Sequence, residues 1–325
     1  MGVWLRSFAV LAIAAAVVRP CVADAQDRTK LIIGTGAAGG VYHPLGSAIC
    51  RLVNLDAEAN TLRCLAQTSR GSVANINALK LRKVDFAIVQ ADVEQAAALG
   101  ADAFARFGPD RDLRTVLALH LEAFTIVARD GSGIASFEDL HGKRVSIGDI
   151  GSGQRMTAGP LLHAFGWTKE NFSEVVELGP VEQNAALCAG KLDAIFYFVG
   201  HPNGLIQDVT ARCHGHLVAV KGPPIDAILK AQPYLRPVVV PRGLYEGNDA
   251  DTPTFGARAV LLTRADVPDA EVAALVDAVI GHFDAFHLLL PVLADLTPAD
   301  LVRSVPLVPL HPGADGAFRK AGLVN

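Results

Sequence analysis

Gly34, Gly36 and Gly39 stand at the spacing G-x-G-x-x-G within Gly34-Thr35-Gly36-Ala37-Ala38-Gly39-Gly40. Glycines permit tight turns and let a ligand approach main-chain N–H groups closely. The apolar run Leu31-Ile32-Ile33 precedes them, and Val41, Leu45, Ile49 and Leu52 follow at helical spacing. Strand, glycine loop and helix together aim backbone donors and the positive end of a helix dipole at an anion. Similar chemistry recurs downstream. Arg70-Gly71-Ser72 leads into a second helical stretch, Gln90 ends an apolar strand, and Gly151-Ser152-Gly153-Gln154 forms a second glycine loop.

Other chemistries fit these residues less well. The dinucleotide fingerprint wants an acid at the end of the next strand, about twenty residues on. The next strand-like run, 61–68, ends Ala66-Gln67-Thr68 without one. Pro44 lies early in the following helix, where only the first turn tolerates it. A plain strand-to-helix turn without a ligand is the simplest alternative; a small-anion cradle fits best. Ile150-Gly151-Ser152-Gly153-Gln154 is not a hydrolase G-x-S-x-G elbow, because Ile150 and Gln154 occupy the glycine positions. Cys213-His214-Gly215-His216 holds metal-ligand residue types, but Cys213 is expected in a disulfide. No carboxylate pair stands at catalytic spacing, and the remaining histidines are scattered. Neither catalysis, metal nor cofactor is expected.

The chain ends and composition set the compartment. Arg6, an apolar run from Phe8 to Val18, and Ala23-Asp24-Ala25 match a signal peptide over residues 1–25, cut before Gln26. An uncleaved anchor is the alternative, but the run is short for a bilayer. Cys21, after Val18-Arg19-Pro20, stands in a poor context for lipid attachment. A soluble periplasmic protein, monomeric, is expected. Its 325 residues suit two domains, and 51% hydrophobic against 19% charged residues suits helices around sheets. A net charge of −4 without a basic run argues against nucleic acid. Beyond Cys21 there remain Cys50, Cys64, Cys188 and Cys213, which allow three pairings. We expect Cys50–Cys64, joining the first helix to the next strand, and Cys188–Cys213, bridging a helix end to a later turn. Four buried free thiols are the alternative.

The elements that position these residues alternate. The run 61–68 reads as a strand and Ser72–Leu79 as a helix that Ser72 caps. Phe86–Val89 is a buried strand, followed by a helix from Val93 to Leu99 that Asp92 caps. This βαβαβ order predicts a parallel sheet whose strand ends carry Thr35, Ser69 and Gln90. Leu113–Ala128 is apolar and extended, a passage into a second lobe. There Ser136 and Asp139 are spaced for reciprocal capping. Arg144–Gly148 and Asp193–Phe198 read as strands, and Thr157–Phe165 and Val181–Ala189 as helices, the latter stopped by Gly190. Ala257–Thr263 returns as a strand, Glu271–Leu289 is a helix, and the tail from Pro306 packs back on the first lobe. The expected domains are 26–118 with 257–325, and 119–256, with residue 220 as another place for the second crossover.

Five segments resemble a known family in order and spacing: GTGAAGGVYHPLG, RGSVANINALKLRKVDFAIVQADV, DLHGKRVSIGDIGSGQ, GKLDAIFYFVGHPN and PLHPGA. They are similar to the TAXI family, the extracytoplasmic solute-binding proteins of TRAP transporters, over roughly residues 30 to 320. The resemblance implies a two-lobed α/β periplasmic binding protein type II fold, each lobe a mixed, mainly parallel sheet with helices on both faces. It implies a receptor that closes on a small carboxylate such as glutamate or 2-oxoglutarate and docks on a TRAP membrane permease. The cysteine pairs also resemble those of one branch of the family. Position by position, it assigns Thr35, Gly36, Gly39, Gly40 and Tyr42 to the first loop, Gly71 and Ser72 to the second, Gln90 and Asp92 to the third strand end, and Ser152 and Gly153 to the second lobe. His43, Arg70, Ala91 and Gln154 depart from residues common there.

Each side chain has a plainer reading beside the functional one. Tyr42 is a cleft aromatic or a packed one. Arg70 grips a carboxylate or is a solvated loop arginine. Arg155 is assigned to the surface. Ser152 donates to a ligand, caps its helix, or both. Asp92 is a cap rather than a contact, since it repels an anion. The expected contact set is Thr35, Gly36, Gly39, Gly40, Tyr42, Arg70, Gly71, Ser72, Gln90, Ser152, Gly153 and Gln154. The other functions considered are a periplasmic sensor subunit for a signalling protein and an exported enzyme using the same cleft.

Overall fold

The computed structural model describes Gly2 and residues 29–302 and 308–324. The expected signal peptide and Cys21 lie outside the described residues. Among the described residues ten strands alternate with helices: β1 (Thr29–Gly34), β2 (Leu62–Gln67), β3 (Phe86–Gln90), β4 (Leu113–Ala128), β5 (Arg144–Ser146), β6 (Glu174–Val176), β7 (Ala194–Val199), β8 (His216–Val218), β9 (Arg236–Val240) and β10 (Thr252–Arg264). They form one sheet in the order β2-β1-β3-β10-β4-β7-β5-β6, with β8 beside β4 and β9 beside β10.

Two long strands join the halves of this sheet. The β1–β3 trio is parallel, as is the trio of β5, β6 and β7. β4 and β10 run antiparallel between the trios, with Arg258 opposite Leu121 and Gly256 opposite Ala123. β10 pairs with β3 through residues 259–263, while β4 pairs with β7 through residues 123–128. The near-continuous apolar run of β4 fits a strand buried on both faces. Two apolar clusters join residues 31–119 to 259–318, and two others gather mainly residues 123–257.

The helices flank the sheet. Tyr42–Leu55 buries Leu45, Ile49, Leu52 and Val53, and Cys50 on it is bonded to Cys64 on β2. Cys188 and Cys213, each ending a helix, form the second bond, so both expected pairings are present. The tail returns to the first half: His311 N–H donates to Thr115 O at 2.9 Å, and the Pro312–Lys320 helix packs on Asp269–Gly281. Among the described residues no helix is long and apolar enough to cross a membrane.

Several boundaries differ from expectation. The Ser72–Lys80 helix is capped by Gly71, and Ser72 is its first residue. The next helix begins at Ala91 after Gln90, which places Asp92 inside its first turn. The Gly153–Ala164 helix begins four residues early, because Ser152 supplies the cap by accepting Arg155 N–H at 3.3 Å. Asp139 does accept the Ser136 N–H and hydroxyl, but the helix it serves is the three-residue turn Glu138–Leu140. The expected 271–289 helix stops at Gly281; a short turn at Phe283–Phe286 redirects Phe283 and Phe286 into the core.

Candidate functional site

The carboxyl ends of the two parallel trios face each other across a cavity of about 280 Å³. From the first half, Gly36, Gly40, Tyr42, Arg70, Gly71, Ser72 and Gln90 line it; from the second, Ser152, Gly153 and Gln154 do. Thr35 and Gly39 are not in its wall. Thr35 is fully buried, its hydroxyl donates to Gln67 O at 2.7 Å, and its carbonyl accepts from Ser69 and Asn75. A Cβ on Gly39 would lie 3.5 Å from Leu205 Cδ2.

The two rims touch through the helix starts. Ala74 N–H donates to Gly151 O at 3.0 Å. Gly71 has φ +114°, a conformation glycine adopts readily, and a Cβ there would lie 3.4 Å from Ser152 Cα. A Cβ on Gly153 would overlap the Gln90 side chain. The Thr157 hydroxyl donates to the buried Asp92 carboxylate, and Gln90 Nε2 lies 3.4 Å from both Asp92 Oδ1 and Thr157 Oγ1. Burial pushes the Asp92 carboxyl up to about 6, against the opposing hydrogen bonds from Thr157 and Val93 N–H. Arg70 is 67% exposed and faces Asp149 at 3.6 Å. Arg155 is half-exposed and paired with Glu177 at 2.8 Å.

Several hydroxyls and amides are already committed. The Ser152 hydroxyl donates to Asp149 O at 2.7 Å, so its proton is committed to that carbonyl while its oxygen serves the cap. The Ser72 oxygen accepts Gln90 N–H at 3.1 Å. Gln154 Nε2 donates to Phe196 O at 3.1 Å. Tyr42 lines the cavity and belongs to the core; its hydroxyl donates to Glu122 Oε2 at 2.7 Å. Burial and the Glu122 charge hold that phenol well above the ordinary tyrosine range, so it remains a donor.

Sequence reasoning missed Glu122, Asp149, Glu182 and Tyr197, which all line the cavity. The signal for Glu122 was a carboxylate within the apolar run of β4. It is 2% exposed, and its other oxygen lies 3.7 Å from His120 Nε2. Tyr197, on β7, donates its hydroxyl to Asn184 Oδ1. Three carboxylates thus line the cavity against the single Arg70 guanidinium. The wall's side-chain charges run opposite to the electropositive seat that the glycine loops alone suggest.

An ABC transporter protein from Listeria monocytogenes with L-cystine in its name superposes with TM-score 0.51 at 15% identity, covering 84% of this chain and 98% of that one. The alkanesulfonate-binding protein SsuA from Xanthomonas axonopodis pv. citri, bound to MOPS, matches at 18% identity over 91% and 92%, with TM-score 0.48. The GluR0 ligand-binding core from Nostoc punctiforme with L-glutamate matches at 17% over 80% and 96%, with TM-score 0.47. Parallel trios joined by two long antiparallel strands make this a mixed α/β fold of the type II periplasmic binding proteins. A family profile matches residues 33–322, and the chain belongs to the NMT1-like family.

Proposed function

We propose that this chain is an extracytoplasmic solute receptor that closes on a small carboxylate-bearing solute and delivers it to a TRAP membrane permease. The observation that carries it is the cavity of about 280 Å³ walled from both sheet halves by helix starts and glycine turns. The main-chain amides at Ser72 and Gly153 are the proposed carboxylate donors, with Arg70 at the rim; the Gly71 N–H already donates to Ser69 Oγ at 2.9 Å and shapes the turn. Gly36, Gly40, Tyr42 and Gln90 shape the wall; Thr35 and Gly39 act by holding the first loop. The proposed lobes are 26–118 with 257–325, and 119–256, and the split of the apolar clusters near residues 119–123 and 257–259 supports them. Export by a cleaved signal peptide over residues 1–25, and the TAXI assignment, rest on the sequence motifs.

The test is a thermal-shift screen of the folded protein over carboxylates and amino acids. A solute at 100 times its dissociation constant adds about 2.7 kcal/mol of stability. A flat screen overturns the carboxylate-solute reading. Uptake into vesicles with the permease should require an ion gradient and proceed without ATP; uptake that needs ATP overturns the TRAP assignment.

A further inference from the structure

Resting on that receptor reading, we infer that the solute carries a cationic nitrogen and no more than one carboxylate. A neutral-side-chain amino acid, with its ammonium at Glu122, fits this description; a dicarboxylate does not.

The charge of the wall is the first ground. Glu122, Asp149 and Glu182 line the cavity, and Arg70, its one basic residue, already faces Asp149. Among the described residues Glu122 has no lysine or arginine partner. Its polar neighbours are the Tyr42 hydroxyl and His120, whose two ring nitrogens are buried without hydrogen-bond partners. A buried carboxylate that meets no lysine or arginine in its own chain is stabilised by a cation brought by the guest. A second carboxylate on the guest would instead meet like charge.

The rest of the wall fits the remainder of such a molecule. Val41, Phe198, Val199 and Leu205 offer apolar surface. The helix starts at Ser72 and Gly153 lie in the same wall, where N–H groups suit the single carboxylate. The guest is therefore held at both polar ends, with an uncharged side chain against the apolar surface.

The test pairs each standard L-amino acid with the 2-oxo acid that lacks its ammonium, by thermal shift and then calorimetry on the full protein. The expected result is strongest binding by a neutral-side-chain amino acid. Its 2-oxo partner should bind about 30-fold more weakly or worse, the equivalent of roughly 2 kcal/mol. Glu122→Gln keeps an acceptor for Tyr42 and should abolish that preference. If glutamate or 2-oxoglutarate binds best, or the 2-oxo acid equals its amino acid in the unaltered protein, this inference falls while the receptor stands. If no carboxylate binds, both fall. The wild-type comparison needs no variant, so a poorly folding Glu122→Gln leaves the test intact.

Discussion

At the scale of single residues, the groups most easily read from sequence turned out to be partly spent on structure. Thr35, Ser72 and Ser152 are hydroxyl residues beside glycines, and the side chain of each is tied within the protein. Sequence can place a hydroxyl at a loop, but it does not say which carbonyl will take its proton. Ser152→Ala should therefore cost about 1 kcal/mol of stability through the lost cap. Ser72→Ala should cost about 1 to 3 kcal/mol by stranding the Gln90 N–H. Urea unfolding curves read both, and calorimetry should show weaker solute binding; unchanged affinity in both variants would remove them from the site. Glu94 shows a different residue-scale effect. Burial pushes its carboxyl up to about 8, against the hydrogen bond from Thr115, and one oxygen has no partner. The folded protein therefore holds a proton that the unfolded chain releases near pH 4.5. The stability linked to Glu94 is full below that pH and is lost as pH rises toward 8. Glu94→Gln should remove a few kcal/mol of this decline, read as the difference between urea unfolding free energies at pH 5 and pH 8.

Elements were legible where apolar periodicity was strong and misplaced where it was not. The strands around Ile33, Ile88 and Phe196 were evident as short apolar runs, and the alternation with helices implied the parallel trios. The helix from Gly153 was expected to start at Thr157 because Gly153-Gln154-Arg155 carries no apolar stripe; the cap, rather than periodicity, sets its start. The helix from Asp269 was read too long because apolar residues continue past Gly281, although the backbone turns there. β10 begins five residues before its expected start, since pairing with β9 orders Thr252–Gly256. The two disulfides fasten elements whose positions sequence could suggest only by spacing. They close loops with sequence separations of 14 and 25 residues. In the chain-entropy model each contributes roughly 3 to 3.5 kcal/mol. Replacing both cysteines of either pair by alanine should lower the unfolding free energy by about that amount, and an unchanged urea midpoint would show that the bond does not hold the elements together.

At the scale of the whole molecule, the proposed closure on a solute depends on what binds the two sides of the cavity when it is empty. β4 and β10 carry the chain between the halves, and the facing rims meet at the starts of the Ser72, Ala91 and Gly153 helices. There the Thr157 hydroxyl donates to Asp92, while Ala74 N–H donates to Gly151 O. Such a joint must be weak enough to open yet good enough to hold a guest; few hydrogen bonds and little apolar area serve both needs. Thr157→Val keeps the side-chain shape but removes one of the donors to the buried Asp92 carboxylate, the one at Oδ2. That should cost the closed form about 1 to 3 kcal/mol, or roughly 10- to 100-fold in affinity for whatever solute the cavity takes. In the proposed open form Asp92 would be solvated and spared the cost, so X-ray scattering without solute should show a larger mean radius. Thr157→Ser restores the donor and should recover both affinity and compactness. A valine variant that stays compact and binds as tightly as the parent would show that the two halves are held together by other contacts and that Asp92 is a residue of the fold alone.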